Sequence, residues 1–570
     1  MLRVSIGQYS DAGAKPENQD FHGALMPDAG QSAMKGVVLA LADGISSSRV
    51  SAEAARTAVT SFLADYPSTS DAWSVKTAGM RVIAATNRWL HDANRNAGIY
   101  DADAGMACTF SALVLKGRHA HLFHIGDSRI QRLTGISLEL LTRDHVKRLS
   151  ASESYLERAL GIGEEVVADY ARVPLEVGQV WLITSDGVHD HVDGRTVAEA
   201  IAASETLDDA ARMIAQAALA NGSADNLTCQ IVRIDALPER DAALEEAMGP
   251  ETALLPLPAL PKAGDVLDGF TILRGLHSSA RSHVYLAKAP DGSAVAIKIP
   301  TREMAEDEAY LKRFVLEEWI ARRISSPHVL KAAPAPEKRT ALYCVTRHVK
   351  GRTLRQWMHD HPRCTPDDMR GIVEQIARGL RAFHRKDMLH QDIRPENIMI
   401  DEAGTVLIID FGSTSVAGVE EAAPGTAGLM PGTFQYTAPE YLSGDPVGWR
   451  SDLYALGVIA YEMLTGELPY GTQVAKIRSR RDQRALRYRA ARGEDNAVPA
   501  WLDEALRKAV HPDPLKRHDA LSEFLADLRR PPKDWARRQQ RPLLERDPVR
   551  FWQIVSVALF AALLISLATR

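Results

Sequence analysis

Aspartates stand at the ends of strand-like runs in the first 235 residues: Asn18-Gln19-Asp20, Ala42-Asp43-Gly44, Gly126-Asp127-Ser128-Arg129, Ser185-Asp186-Gly187 and Asp225-Asn226. Each alone reads as a turn, because Asp and Gly favour turn backbones. Brought together, four such carboxylates would repel and titrate upward unless divalent cations held them. Hard oxygen ligands without nearby His or Cys suit Mg²⁺ or Mn²⁺ rather than zinc. A second group lies further on: Lys298 in Val295-Ala296-Ile297-Lys298, then His390-Gln391-Asp392-Ile393-Arg394-Pro395-Glu396-Asn397, Asp410-Phe411-Gly412 and Thr437-Ala438-Pro439-Glu440. A lysine in an apolar strand reads alone as an edge residue or a nucleotide contact. With the carboxylates and the amide that follow, it suits polyphosphate chemistry.

The elements that must carry these residues divide the chain in two. Apolar or β-branched runs at Gly36–Asp43, Phe110–Lys116, His119–Gly126, Val180–Asp186 and Asn226–Ile234 predict strands, with helical periodicity at Ser51–Leu63, Val75–Arg95 and Val197–Ala218. Residues 236–264, rich in Pro, Ala and Glu, read as a linker. Beyond them, Phe270–Gly275, His283–Lys288 and Ala294–Ile299 read as strands and Glu303–Ile324 as helical. The expected domains are 1–235 and 265–531, and the expected class is multidomain α+β.

The first domain resembles the metal-dependent type 2C Ser/Thr protein phosphatases. The resemblance rests on Ser10-Asp11-Ala12-Gly13…Asn18-Gln19-Asp20, Ala42-Asp43-Gly44, Gly126-Asp127-Ser128-Arg129, Leu141-Thr142-Arg143-Asp144-His145, Thr184-Ser185-Asp186-Gly187 and Asp225-Asn226-Leu227-Thr228. It implies an α-β-β-α sandwich with a dinuclear metal centre, in which Asp20, Asp43, Asp186, Asp225 and the Gly44 carbonyl are metal ligands. A water activated by the metals would then attack phosphorus in line. Lys15 occupies the phosphate-binding position usually held by arginine, which replaces a bidentate fork with a point charge. Ile45-Ser46-Ser47-Ser48 lacks the family's usual histidine acid. The acid for a third metal is left open between Asp101, Asp103 and neither.

The second domain resembles the eukaryotic-type protein kinases, which implies two lobes with ATP between them. Lys298 would hold the phosphates and pair with Glu317, Glu318 being the alternative. Asp392 would orient the acceptor hydroxyl, Asn397 and Asp410 would hold Mg²⁺, and Arg394 favours Ser/Thr acceptors. Gln391 replaces the arginine that reads an activation-loop phosphate, so switching by loop phosphorylation is not expected. The nucleotide loop carries Gly275, His277, Ser279 and Ser282 where three glycines are usual, with serine hydroxyls and amides as substitute donors.

Composition supports this division and excludes other classes. Lys+Arg 68 against Asp+Glu 73 leaves a charge of −5, with 25% charged and 45% hydrophobic residues, which excludes collagenous and wholly disordered chains and gives no basic field for nucleic acid. Cys108, Cys229, Cys344 and Cys364 form no CxxC pair, which fits a reducing compartment. The opening residues do not read as a secretory signal. Residues 551–569 are uncharged and would span roughly 28 Å as a helix, and the preceding basic stretch within 532–550 would keep the domains cytoplasmic. These features predict a single-pass tail anchor in the cell (inner) membrane.

The expected activity is bifunctional: ATP-dependent phosphorylation of protein Ser/Thr and metal-dependent hydrolysis of phosphoSer/phosphoThr, with Mg²⁺ or Mn²⁺. The alternative is an active phosphatase regulated by a nucleotide-binding pseudokinase. Expected partners are proteins bearing Ser/Thr or their phosphates, this chain included through Ser413–Ser415 and Thr426–Thr433, which a flexible linker would present to the phosphatase site.

Overall fold

Period-two alternation assigns each strand residue of the first domain to a layer. In the strand Val37–Asp43, Val38, Ala40 and Ala42 pack on helices, while Val37, Leu39 and Leu41 face a second sheet. With both faces covered, the strand is apolar throughout. The computed structural model describes residues 2–27, 34–99, 101, 104–148, 154–238, 255–334, 336, 338–362, 364–422, 435–491, 498–531 and 548–568.

The strands of the first domain are β1 (Arg3–Asp11), β2 (Asp20–Leu25), β3 (Val37–Asp43), β4 (Phe110–Lys116), β5 (His119–Ile125), β6 (Arg129–Thr134), β7 (Ser137–Leu140), β8 (Val146–Arg148), β9 (Ser154–Leu156), β10 (Asp169–Pro174), β11 (Val180–Thr184) and β12 (Leu227–Ala236). Two antiparallel five-stranded sheets form, in the orders β1-β12-β11-β6-β7 and β10-β5-β4-β3-β2. Leu39, Leu41, Leu113 and Leu115 meet Trp181, Ile183 and Val232 between them. Helices Ser51–Ser68 and Val75–Asn96 cover one outer face, and Gly194–Ala203 and Leu207–Ala220 cover the other. The periodic stretch Val197–Ala218 is thus two helices rather than one, because the Thr206 side chain accepts from the Asp209 amide and starts the second.

The second domain has two lobes. Its five-stranded sheet comprises β13 (Val266–Leu267), β14 (Phe270–Ser278), β15 (Ser282–Lys288), β16 (Ala294–Pro300) and β17 (Cys344–Arg347), in sequence order. The expected helix at 303–324 is Glu308–Arg323, preceded by a 3-10 turn over Arg302–Met304. The Asp307 side chain caps the Tyr310 amide and sets its start. The larger lobe packs around helices Pro366–His384 and Trp449–Thr465, with Phe383, Leu453, Leu456 and Ile459 fully buried. Within the 236–264 stretch, the Pro256 carbonyl accepts from the Leu342 amide at 2.9 Å, and Leu255 and Leu257 pack beside Phe314, Leu342 and Cys344.

The expected membrane-crossing helix over 551–569 is corrected. A helix occupies Pro548–Ala568, but among the described residues no helix is long and apolar enough to cross a membrane. Arg550, Gln553 and Ser556 interrupt the apolar character of the Pro548–Ala568 helix.

Candidate functional sites

Strand pairing brings the first carboxylates together. Asp20 opens β2, Asp43 closes β3, and the two are directly opposite in the antiparallel register. Asp20 Oδ2 accepts from Ser185 Oγ at 2.8 Å and from Thr228 Oγ1 at 2.6 Å, while its Oδ1 is buried without a hydrogen-bond partner. Burial pushes the Asp20 carboxyl up to about 6, and the nearby Asp186 charge adds to the shift. Burial also raises Asp43 well above the carboxylate range, with Asp20, Asp186 and Asp127 repelling its charged form. Asp186 is raised by burial and then by Asp225.

Lys15 reaches this group, pairing with Asp225 Oδ1 and donating to Ser46 Oγ at 2.7 Å. Asn226 fixes the loop that carries Lys15 and Asp20: its Nδ2 donates to the Ala12 and Glu17 carbonyls at 3.0 and 2.9 Å, and its Oδ1 accepts from the Gln19 amide at 3.0 Å. The Gly44 amide donates to the Gln19 carbonyl at 3.2 Å. A Cβ at Gly44 would lie 2.8 Å from Ser51, so the close approach requires glycine.

Asp127 is the residue that sequence reasoning left without a role, although its Gly-Asp-Ser-Arg motif had been singled out. Burial and the Asp186 charge push its carboxyl up to about 7. The neighbouring motif residues have structural work, since Arg129 forms a bidentate pair with Asp144, Nη2 to Oδ2 at 2.7 Å and Nε to Oδ1 at 3.1 Å. Asp101 is exposed, and Asp103 lies outside the described residues. Among the described residues no group of three or more His, Cys, Asp or Glu side chains is close enough to hold a metal ion. The orphaned Asp20 oxygen and the mutually repelling buried carboxylates nevertheless make a donor set that fits a hard divalent cation.

In the second domain, Lys298 Nζ on β16 donates to Glu317 Oε1 and Oε2 at 2.7 and 2.8 Å and lies 3.6 Å from Asp410 Oδ1. Burial opposes the Lys298 charge, but Asp410 and Glu317 outweigh it and hold the ammonium above its ordinary pKa. Glu318 turns away to Arg322 and to Arg339, the latter at 3.0 Å. Asn397 Nδ2 donates to Asp392 Oδ2 at 2.8 Å, and burial raises the Asp392 carboxyl. Arg394 Nε donates to Glu396 Oε2 at 2.8 Å. The catalytic-loop backbone is anchored on buried Asp452, which accepts from the His390 and Gln391 amides at 3.0 and 2.9 Å. Gln391 adopts φ 67.

The nucleotide turn differs from the expected use of its serines. Ser279 Oγ donates to the Ser282 carbonyl at 3.1 Å and accepts from the Ser282 amide at 3.1 Å, so these donors close the turn on itself. Gly275 lies on β14 opposite Tyr285, with open space where a Cβ would be.

The family model "Protein phosphatase 2C" matches residues 9–229, and "Protein kinase domain" matches residues 271–526. The chain is 37% identical over 182 residues to the serine/threonine-protein kinase PknA of Corynebacterium glutamicum, covering 31% of this chain and 38% of that protein. It is 28% identical over 261 residues to PrkC of Bacillus subtilis, covering 46% and 40%. The chain thus spans about two fifths of the length of these curated relatives. The solved serine/threonine phosphatase PstP/Ppp of Mycobacterium tuberculosis is 23% identical, with a TM-score of 0.35, covering 41% of this chain and 100% of that one. With both sites assembled from their own motifs, the chain joins a protein phosphatase 2C domain over residues 9–229 to a protein kinase domain over residues 271–526.

Proposed function

We propose that the chain carries two opposed activities, transferring the ATP γ-phosphoryl group to protein Ser/Thr and hydrolysing phosphoSer/phosphoThr. The observation that carries the kinase half is the closed Lys298–Glu317 pair with Asp410 beside it. Lys298 Nζ, held between carboxylates, is positioned for the ATP phosphates, and Asn397 holds Asp392 to orient the acceptor hydroxyl. Asn397 and Asp410 are the Mg²⁺ ligands in this reading.

In the phosphatase half, Asp20, Asp43, Asp186, Asp225 and the Gly44 carbonyl would hold divalent cations, with Asp127 as a further carboxylate beside Asp186. Bound Mg²⁺ or Mn²⁺ would supply charge neutralisation and an acidified water. Lys15 positions the phosphate as a point charge, and Ser185 and Thr228 fix one Asp20 oxygen so that the other is directed to the site.

A second reading, a nucleotide-binding pseudokinase that regulates the phosphatase, is favoured by the self-closed Ser279–Ser282 turn, which withholds donors from phosphate. The deciding experiment follows label from ATP into protein with the full chain carrying Asp186→Asn, and with Lys298→Met added as control. Incorporation that disappears in the control supports the kinase. Absence of incorporation into self and generic acceptors supports the pseudokinase.

A further inference from the structure

The two domains meet through side chains that neither reaction uses. On the phosphatase side the contact comprises the loop between the two helices on the outer face of β2–β5, together with Lys116 at the end of β4. The kinase side presents the turn before strand Met388–Leu389 and the short helix Ala417–Ala422 that follows strand Ser415–Val416. Asp387, at φ 53, accepts through Oδ2 from the Ser74 amide and hydroxyl at 3.3 and 3.1 Å and from the Thr77 hydroxyl. Trp73 Nε1 donates to the Arg385 carbonyl at 2.9 Å.

Across the other half, the Gly418 amide donates to the Ala72 carbonyl at 3.1 Å, and Lys116 Nζ donates to the Gly418 carbonyl at 2.7 Å. Glu421 Oε2 accepts from the Val75 amide at 2.8 Å and lies 3.5 Å from Lys116 Nζ. The contact is buried at its centre, where Ala72 is fully buried within the kinase's large-lobe core and the Lys116 side chain is 1% exposed.

These contacts bracket one structural element. Strands Met388–Leu389 and Ser415–Val416 pair antiparallel, and the Ala417 amide donates to the Asp387 carbonyl at 3.1 Å. That pairing anchors the segment leaving Asp410 and Phe411, which in kinases is commonly ordered by a phosphate on the segment read by basic residues. Gln391 leaves the position before Asp392 without a cation. We infer that the phosphatase domain supplies this order instead, acting as a docked clamp that holds the start of the kinase activation segment in its paired form without phosphorylation. The inference rests on the kinase reading above.

The clamp also orients the phosphatase site. Asp43 lies at one end of β3, whereas the pair Val37↔Leu115, next to Lys116, lies at the other, about 20 Å away at strand rise. The kinase therefore docks on the end of the sandwich opposite the aspartates, and Ser413–Ser415 lie on that far side in the docked chain. In this docked arrangement, removal of phosphate from Ser413–Ser415 runs between molecules rather than through the flexible linker, while Thr426–Thr433 lies outside the described residues.

Gly418→Ala, Lys116→Met and Trp73→Ala in the full chain test the clamp. A Cβ at Gly418 would stand 2.1 Å from the Asp71 carbonyl oxygen, so the substitution wedges the contact, while alanine favours the helix itself. Three readouts are taken: ADP release with an acceptor protein, hydrolysis of p-nitrophenyl phosphate with Mn²⁺, and amide exchange over residues 413–422. The expected result is at least tenfold faster exchange and about tenfold slower ADP release in all three variants, with hydrolysis unchanged within twofold. Unchanged exchange overturns the docking, and unchanged or faster ADP release overturns the clamp. If wild type releases no ADP, the kinase reading fails separately. MgADP affinity then decides the clamp, upheld by weaker binding in the variants and overturned by equal binding.

Discussion

Lys298 and Glu317, nineteen residues apart, close a two-pronged ion pair, and the same ammonium lies 3.6 Å from Asp410. One cation thus ties the small-lobe sheet to its helix and to the Mg²⁺-ligand candidate. Lys298→Met is expected to reduce phosphoryl transfer by 10² or more, with p-nitrophenyl phosphate hydrolysis retained, because positioning and charge stabilisation carry this chemistry. Glu317→Gln should fall between that variant and wild type, whereas Glu318→Gln should leave transfer within threefold. Initial rates on one acceptor protein measure all three.

Metal removal should separate activity from stability. Chelation is expected to abolish hydrolysis and lower the melting temperature of the phosphatase domain, and Mn²⁺ should restore both by mass action on the folded state. Asp43→Asn should abolish hydrolysis yet raise the chelated protein's melting temperature by a few degrees, because it relieves repulsion from buried Asp20. Calorimetry with and without Mn²⁺ reads both effects.

Buried histidines predict acid sensitivity in the same domain. Burial lowers His121 to about 3 and His124 to about 4, with Lys116 and His145 respectively adding to the shift. The unfolded chain therefore binds these protons at higher pH than the folded one, so stability falls as pH drops below about 6.5. Each group should cost about 2 kcal/mol by pH 5. Urea unfolding followed at pH 7 and pH 5 checks the sign and size.

Arg517 and Glu440 make a fully buried bidentate pair, with both Nη–Oε distances 2.7 Å, and Ser451 Oγ donates to the same carboxylate. Arg517→Met strands a buried carboxylate and should cost the kinase domain about 3–5 kcal/mol. At that size its melting temperature should drop by roughly 10 °C. The phosphatase rate measured below the transition should be unaffected.

Loss of phosphate from the autophosphorylated chain should depend on protein concentration. With the aspartates at the end of the sandwich away from the kinase, dephosphorylation of Ser413–Ser415 is bimolecular, so a hundredfold dilution should slow it about a hundredfold. Rates independent of dilution would instead require the domains to separate and meet again within one chain.

Both chemistries were legible in the sequence because each depends on residue types at short spacings. Asp392, Arg394 and Asn397 lie within six positions, and the aspartates of the sandwich stand at or beside the ends of strands that apolar runs already mark. The choice between Glu317 and Glu318 was open because adjacent helical residues differ only in direction, and the helix rotation that gives Glu317 to Lys298 gives Glu318 to Arg339. Asp127 was given no role, although its motif was quoted, because that motif supplies structure through Arg129 and charge through Asp127, and sequence spacing does not separate these roles. The membrane-crossing reading rested on the lack of charge over 551–569, and among the described residues no helix is long and apolar enough to cross a membrane.

Local chemistry therefore follows from composition and order along the chain: which carboxylates, which lysine, which strands. Contacts between residues hundreds of positions apart do not. Lys116 on Gly418, Asp387 under Ser74, and a phosphatase site turned away from its own kinase arise from the burial of one folded surface against another, and that surface exists only once each domain has closed its core. Shape and desolvation at such a contact are collective properties of many elements, so no local pattern encodes them.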